Sequence, residues 1–247
     1  MKNIFIIITF IFYLHNTIYS DDSDVSGKFV GFSAGWHNSK LSELNDMLDG
    51  LNDMYPNYEE GSVNPNSVEL RFISGYKITD NWTVIGSLGV SPDIIVKTNW
   101  DDGNKGNSYI TTKFIELGFV REFKQSSGRK GVYEPNELVP FAGAGGGIYS
   151  VRWFCADDYI TMLDPSTTLP IRKATDINFG LFAITGFNYY LSEKVSLDVT
   201  GKYLYCKLQK LEGKGKYDNY IIILGGEKLK IDLGGPSILV GISYHFL

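Results

Sequence analysis

"SILVGISYHFL" (237–247) closes the chain, and its reading decides the fold. Ile238, Val240, Ile242, Tyr244 and Phe246 alternate with Leu239, Gly241, Ser243 and His245. Strict alternation with a period of two marks a strand whose two faces meet different surroundings. A chain end is ordinarily polar and frayed. This one carries an aromatic residue next to its last position, so one face of the terminal strand has to leave water.

Three more segments repeat the pattern. Residues 68–78 place Val68, Leu70, Phe72, Tyr76 and Ile78 on one face. Residues 177–191 do the same with Ile177, Phe179, Leu181, Phe187 and Leu191, and residues 195–205 with Val195, Leu197, Val199, Tyr203 and Tyr205. None of these apolar faces carries a charge. The opposite faces hold Glu69, Arg71, Lys77, Asp198, Lys202 and His245. A water-soluble barrel turns its apolar face inward, whereas a membrane barrel turns it out to lipid and keeps polar groups inside.

Three features favour the membrane arrangement. The alternating runs are longer than the roughly 5–6 residues common in soluble sheets and match the roughly 9–11 tilted residues that cross a bilayer. "FAGAGGGIYS" (141–150) puts four glycines in one strand, which suits the bends of a narrow barrel better than a soluble strand interior. Trp36, Trp82, Trp100, Trp153, Tyr76, Tyr189 and Tyr244 fall near strand ends, where interfacial girdles form. Weaker strands over 26–36, 82–97, 109–123 and 138–154 bring the count to eight, with Pro92 at a bulge or outer edge. Short turns at 79–81 and 192–194 alternate with long connections at 37–66, 98–108, 155–174 and 206–230, and the 124–137 turn is longer than its counterparts. Short turns on the periplasmic side and long loops outside are the outer-membrane pattern. A terminal strand in lipid must pair with the first strand, because an open edge leaves backbone groups without partners. The expected fold is all-β: an eight-stranded antiparallel up-and-down transmembrane β-barrel with a short helix in the first outer loop.

"ITDNWTVIGSLG" (78–89), "PFAGAGGGIYS" (140–150), "LSEKVSLDVTGKYLY" (191–205) and "VGISYHF" (240–246) resemble the small outer-membrane β-barrels of the OmpA-transmembrane, OmpX and opacity-protein kind. In that family a tight hairpin follows a Leu-Ser/Thr-acid step. The resemblance implies that Tyr244 and Phe246 form a C-terminal signal read by the barrel-assembly machinery. The chain departs from the family pattern in ending on Leu247, one position past Phe246.

The N-terminus agrees with export. Lys2 precedes an apolar run from Ile4 to Leu14, and small Ser20 stands before "DDSD". That is the pattern of a signal peptide over 1–20, too short in its apolar core to span, with one barrel domain over 21–247. The formal charge is −5, and loss of Lys2 makes it one unit more negative. This balance argues against nucleic acid as a partner. Cys155 and Cys206 are an even pair in an exported chain, which permits a disulfide and equally permits two thiols.

Motifs for chemistry are weak. "GFSAG" (31–35) matches a nucleophile elbow in letters, but Ser33 stands within an alternating strand, where the elbow needs a strand-to-helix turn. His37 and Ser39 with Glu43 are the residues a lipid deacylase would need, without a second signal. "GAGGG" (143–147) lacks the Lys-Ser/Thr of a phosphate loop, and "DDGN" (101–104) and "CADD" (155–158) read as solvated loop tips. No catalytic, cofactor-binding or metal-ligating residue is expected. "KLSELNDMLDGLNDMYP" (40–56) has helical spacing in Leu41, Leu44, Leu48 and Leu51 and stops at Pro56. Glu69, Arg71, Glu116, Arg152, Asp198 and Lys202 are expected to face inward as a mixed-sign lumen network, because an eight-stranded interior is just filled by side chains. The expected function is a non-enzymatic outer-membrane barrel presenting surface loops for envelope structure, adhesion or host-factor binding. A narrow small-solute channel, a lipid-modifying enzyme and a soluble secreted ligand-binding barrel are the rivals. The expected partners are outer-membrane lipid and lipopolysaccharide-like glycolipid, the barrel-assembly machinery and host surface molecules.

Overall fold

The computed structural model describes residues 27–41, 44–46, 49, 58–100, 105–124, 133–155, 173–208, 212–214, 219–221, 223–224, 227–228 and 231–246. The expected leader, most of the expected helix over 40–56, Glu43, the 101–104 loop tip and all but the backbone of Cys155 in the 155–158 tip lie outside them. Eight long strands are present: β1 (Lys28–Asn38), β2 (Asn66–Lys77), β3 (Trp82–Trp100), β4 (Lys105–Glu122), β5 (Leu138–Cys155), β6 (Lys173–Ser192), β7 (Val195–Tyr205) and β8 (Gly235–Phe246). Each is antiparallel to the next. β8 returns to β1 in a register running from Lys28↔Phe246 to His37↔Ser237. The sheet is therefore closed, and the barrel has no free strand edge to satisfy in lipid.

The alternation has the orientation that a bilayer demands. Phe72, Leu181 and Val240 are 41%, 54% and 56% exposed on the outer wall, while Glu69 and Lys202 inside are 2% and 3% exposed. On β4 the outward residues Ile115, Leu117 and Phe119 are all exposed, bounded by Lys113 above and Arg121 below. Eight residues of rise at roughly 3.3 Å each, on strands tilted about 35–45°, give about 20 Å of height between these two charges, and exposed Phe123 carries the apolar wall past Arg121, toward the ~25 Å band of such barrels. Trp36, Trp82, Tyr76 and Tyr244 flank the belt, exposed and outward. Trp153, expected in that girdle, points into the barrel at 3% exposure, and the Trp100 side chain lies outside the described residues.

Strands β3 to β6 run 18 to 20 residues, beyond what the bilayer needs, and rise on the long-loop side. A short strand, Tyr58–Val63, pairs with the upper part of β3. The β3–β4 register slips between Ser91 and Ile94, where Pro92 removes a backbone donor. In the first loop, Leu44 and Asn45 donate backbone bonds to the Leu41 carbonyl, a single described turn of helix. Leu41 and Leu44 are fully buried there and belong to one apolar cluster with Ile94, Val96, Trp153 and Ile231. Among the described residues, Leu41 and Leu44 of the first loop and Ile231 and Leu233 of the β7–β8 connection thus pack together at the long-loop mouth.

Inward glycines stand beside the inward charges. Gly35 pairs with Glu69, Gly89 with Arg71, Gly147 with Glu116 and Gly241 with Asp198. Small residues opposite large ones let side chains fill a narrow barrel. At Gly35 a Cβ would stand 1.9 Å from the Ile238 carbonyl oxygen. Because that neighbour is backbone, Gly35→Ala is expected to cost about 1–3 kcal/mol, measured as a lower urea midpoint with loss of the unheated band shift on gels.

Candidate functional site

The β2 residues Glu69 and Arg71 are two apart and therefore share the inner face. Glu116 comes from β4 and Lys202 from β7. Their side chains meet across the lumen. The Arg71 guanidinium stands 2.7 Å from Glu69 Oε1 and 3.0 Å from Glu116 Oε2. Lys202 Nζ stands 2.9 Å from Glu69 Oε1 and 2.9 Å from Glu116 Oε1. Two cations and two carboxylates alternate in a closed tetrad of zero net charge, and every member side chain is at most 3% exposed.

Buried ions need further hydrogen bonds to offset lost hydration. Tyr149 donates to Glu116 Oε1 at 2.5 Å, Ser87 to Glu116 Oε2 at 3.0 Å and Ser237 to Glu69 Oε2 at 3.4 Å. The Phe114 ring lies under both cations, 5.5 Å from Arg71 Cζ and 4.9 Å from Lys202 Nζ. Tyr149, Ser87 and Phe114 escaped the sequence reading. Their only signal is inward parity, which uncharged residues on a mixed strand do not announce.

Two expected members of the network stand elsewhere. Arg152 is exposed on the outer wall of β5, so its expected place in the lumen is corrected. On β5 both faces carry apolar residues: Val139, Phe141, Val151 and Trp153 point inward, while Leu138 and Ile148 point out. Period-two polarity therefore gave no sign of which face Arg152 takes. Asp198 does face inward, but apart from the tetrad. Ser196 donates to its Oδ1 at 2.7 Å, Ser243 donates to Oδ2, and no cation stands within salt-bridge distance among the described residues.

The short-turn end is closed by a second set. The longer 124–137 connection returns Tyr133 into the barrel, where it stacks on Tyr190 with ring centroids 3.9 Å apart and 8° between planes. Tyr133 donates to Glu122 Oε2 at 2.6 Å, Lys77 donates to Tyr133, and Lys77 Nζ stands 2.9 Å from Glu122. Burial, with Tyr190 and Glu122 alongside, holds the Tyr133 phenol far above its ordinary pKa, so it remains a donor. Asn136, at φ 68°, takes the left-handed conformation that Asn tolerates and donates its backbone N–H to the Tyr190 carbonyl at 2.7 Å. The described part of this turn, residues 133–137, thus brings Tyr133 in as a plug.

Between tetrad and plug lies a cavity of about 70 Å³. On the other side of the tetrad, a space of about 20 Å³ is bordered by His37 and Ser39. His37 uses both ring nitrogens, with Ser237 Oγ at 2.7 Å and the Leu233 carbonyl at 3.2 Å. Ser39 Oγ is buried without a hydrogen-bond partner, so the two are not bonded to each other. Ser33 lies within β1, paired with Gly241 and Arg71. Cys206 is a buried free thiol. Tyr244 and Phe246 face outward on β8, ring centroids 5.2 Å apart, edge to face.

No family model matches the sequence, and no match was found among the curated proteins. Solved structures do match. The crystal structure of Neisserial surface protein A aligns with a TM-score of 0.50 at 14% identity, over 90% of this chain and 98% of that one. Outer membrane protein OprG from Pseudomonas aeruginosa aligns with a TM-score of 0.53 at 17% identity, over 90% and 96%. What each shares with this chain is the fold.

Proposed function

From a chain with the fold of the small outer-membrane β-barrels, we propose a non-enzymatic, non-conducting barrel of the bacterial outer membrane that holds its long loops above the surface. The observation that carries this reading is the tetrad of Glu69, Arg71, Glu116 and Lys202, which crosses the lumen with almost no exposed surface. An ion path would have to break it, and removing one partner from a buried pair is costly. The apolar cluster at the long-loop mouth and the Tyr133 plug at the other end close the same axis twice more. With the axis crossed by the tetrad, the surface left for recognition is the tall wall of β3 to β6 and the connections it carries. Adhesion, binding of a host factor and envelope support all fit that surface. Lipid and lipopolysaccharide-like glycolipid around the belt and the barrel-assembly machinery at Tyr244 and Phe246 are the proposed partners. The narrow solute channel is the second reading, favoured only by the internal cavity.

Purified protein in planar bilayers tests the choice. The expected record is flat, without steady ohmic conductance, and Lys202→Met introduces flickering openings. A steady conductance in the wild type, changed by Arg71 substitution, would establish the channel instead.

A further inference from the structure

Three register rows on the outer wall of β4, β5 and β6 change character in step. Thr111, Arg152 and Thr175 stand side by side in the upper row, Lys113, Ser150 and Ile177 in the next, and Ile115, Ile148 and Phe179 in the third. Lys113 and Arg152 are exposed, with the three hydroxyl residues half-buried between and beside them. Ile115, Ile148, Ile177 and Phe179 are exposed and continue into the apolar belt. No carboxylate stands in any of the three rows. Lys113 and Arg152 are diagonal neighbours on adjacent strands, a spacing of roughly 7–8 Å, so both side chains can reach one anion between them. The height is that of a lipid headgroup. Lys113 stands two residues above Ile115, about 5 Å on a tilted strand, and the headgroup layer is roughly 5–7 Å deep on each side of the hydrocarbon. The lower boundary of the same strand is built differently. There Arg121 lies over the rings of Trp82 and Phe123, at 6.0 and 5.6 Å. Among the described residues neither Lys113 nor Arg152 lies over a ring or in an ion pair.

We propose that Lys113 and Arg152, with the hydroxyls of Thr111, Ser150 and Thr175, bind the phosphomonoester of a lipid in the long-loop leaflet, whose acyl chains lie on Ile115, Ile148, Ile177 and Phe179. The guanidinium supplies a planar fork for two phosphate oxygens and the ammonium a point charge for a third. Two cations match the near-double negative charge of a phosphomonoester. A phosphocholine headgroup offers one negative charge, already balanced by its own ammonium. The continuous apolar rows below the cations select a lipid over free phosphate, since they give the chains a place to lie. This site rests on the proposed reading of the wall as lipid-facing, and it names the lipid chemistry selected there.

The test uses the whole barrel in phosphatidylcholine nanodiscs with labelled isoleucine methyl groups, into which phosphatidic acid of the same acyl chains is introduced stepwise. The Ile115, Ile148 and Ile177 signals are expected to shift saturably, and those of Ile238 and Ile242 on the opposite wall to stay in place. Half-saturation is expected below about 10 mole percent, the mark of a tenfold preference that two basic side chains at a membrane surface can supply. The double variant Lys113→Gln, Arg152→Gln is expected to raise that midpoint at least fivefold, and Arg121→Gln to leave it unchanged. Equal saturation by phosphatidylglycerol, or an equal effect of Arg121→Gln, overturns the site. The same shifts produced by inorganic phosphate alone overturn the lipid. The unheated band shift on gels separates this site from the reading beneath it. A barrel folded in the disc without a lipid preference sinks the site and leaves the proposed function standing, whereas failure to enter any disc sinks both. If the double variant does not fold, phosphatidic acid against phosphatidylglycerol on the wild type decides alone.

Discussion

Lys202→Met is expected to lower barrel stability by about 3–5 kcal/mol, the range for removing one partner from a buried ion pair. Two carboxylates, Glu69 and Glu116, would then share one guanidinium at the centre of a lumen in which the tetrad side chains are at most 3% exposed. Methionine fills much of the lysine stem's volume, so the loss is electrostatic and not a cavity effect. Urea titration of the barrel folded in lipid vesicles measures it. Adding Glu116→Gln should return part of the loss, because one uncompensated charge is removed. Residues in contact couple by about 0.5–3 kcal/mol, and the double-mutant cycle gives that coupling directly. A single variant within about 0.5 kcal/mol of wild type, the range of an ordinary surface change, would mean that water reaches the tetrad. The closed-lumen reading would then fail with it.

Leu117→Arg is expected to cost about 2–4 kcal/mol in a bilayer, the penalty for arginine near the midplane of a lipid-facing wall. Leu117 is 58% exposed and lies midway between Lys113 and Arg121 on β4, at the centre of the apolar belt. The same replacement on a wall facing water would be close to neutral. The comparison with Lys113→Ala, at the belt's upper boundary where depth penalties fall to about 0–1 kcal/mol, separates depth from general damage. Equal small effects at both positions would show that no hydrocarbon surrounds the wall.

How much of the site was legible can be judged residue by residue. Glu69, Arg71 and Lys202 sit on strands with one uncharged apolar face, so their inward direction followed from parity. Arg152 sits on a strand apolar on both faces, and parity there carries no polarity. Tyr133 stands in a turn with no period at all, so nothing in the local sequence announced that it enters the barrel.

By itself the sequence determined that there are eight strands, where each begins to within a few residues, which side faces lipid on the clearly two-faced strands, and that the last strand must close on the first. All of these are local consequences of a two-residue period and of the rule that backbone groups in hydrocarbon need partners. The tertiary structure alone decided which charges meet. Lys202 reaches Glu69 across 133 residues of chain and Glu116 across 86, while Asp198, four residues earlier on the same face as Lys202, meets no cation. The period says which face a side chain takes. Only strand register and stagger around the closed barrel set its height along the axis, and height is what puts one carboxylate in the tetrad and leaves the other bonded to serine hydroxyls.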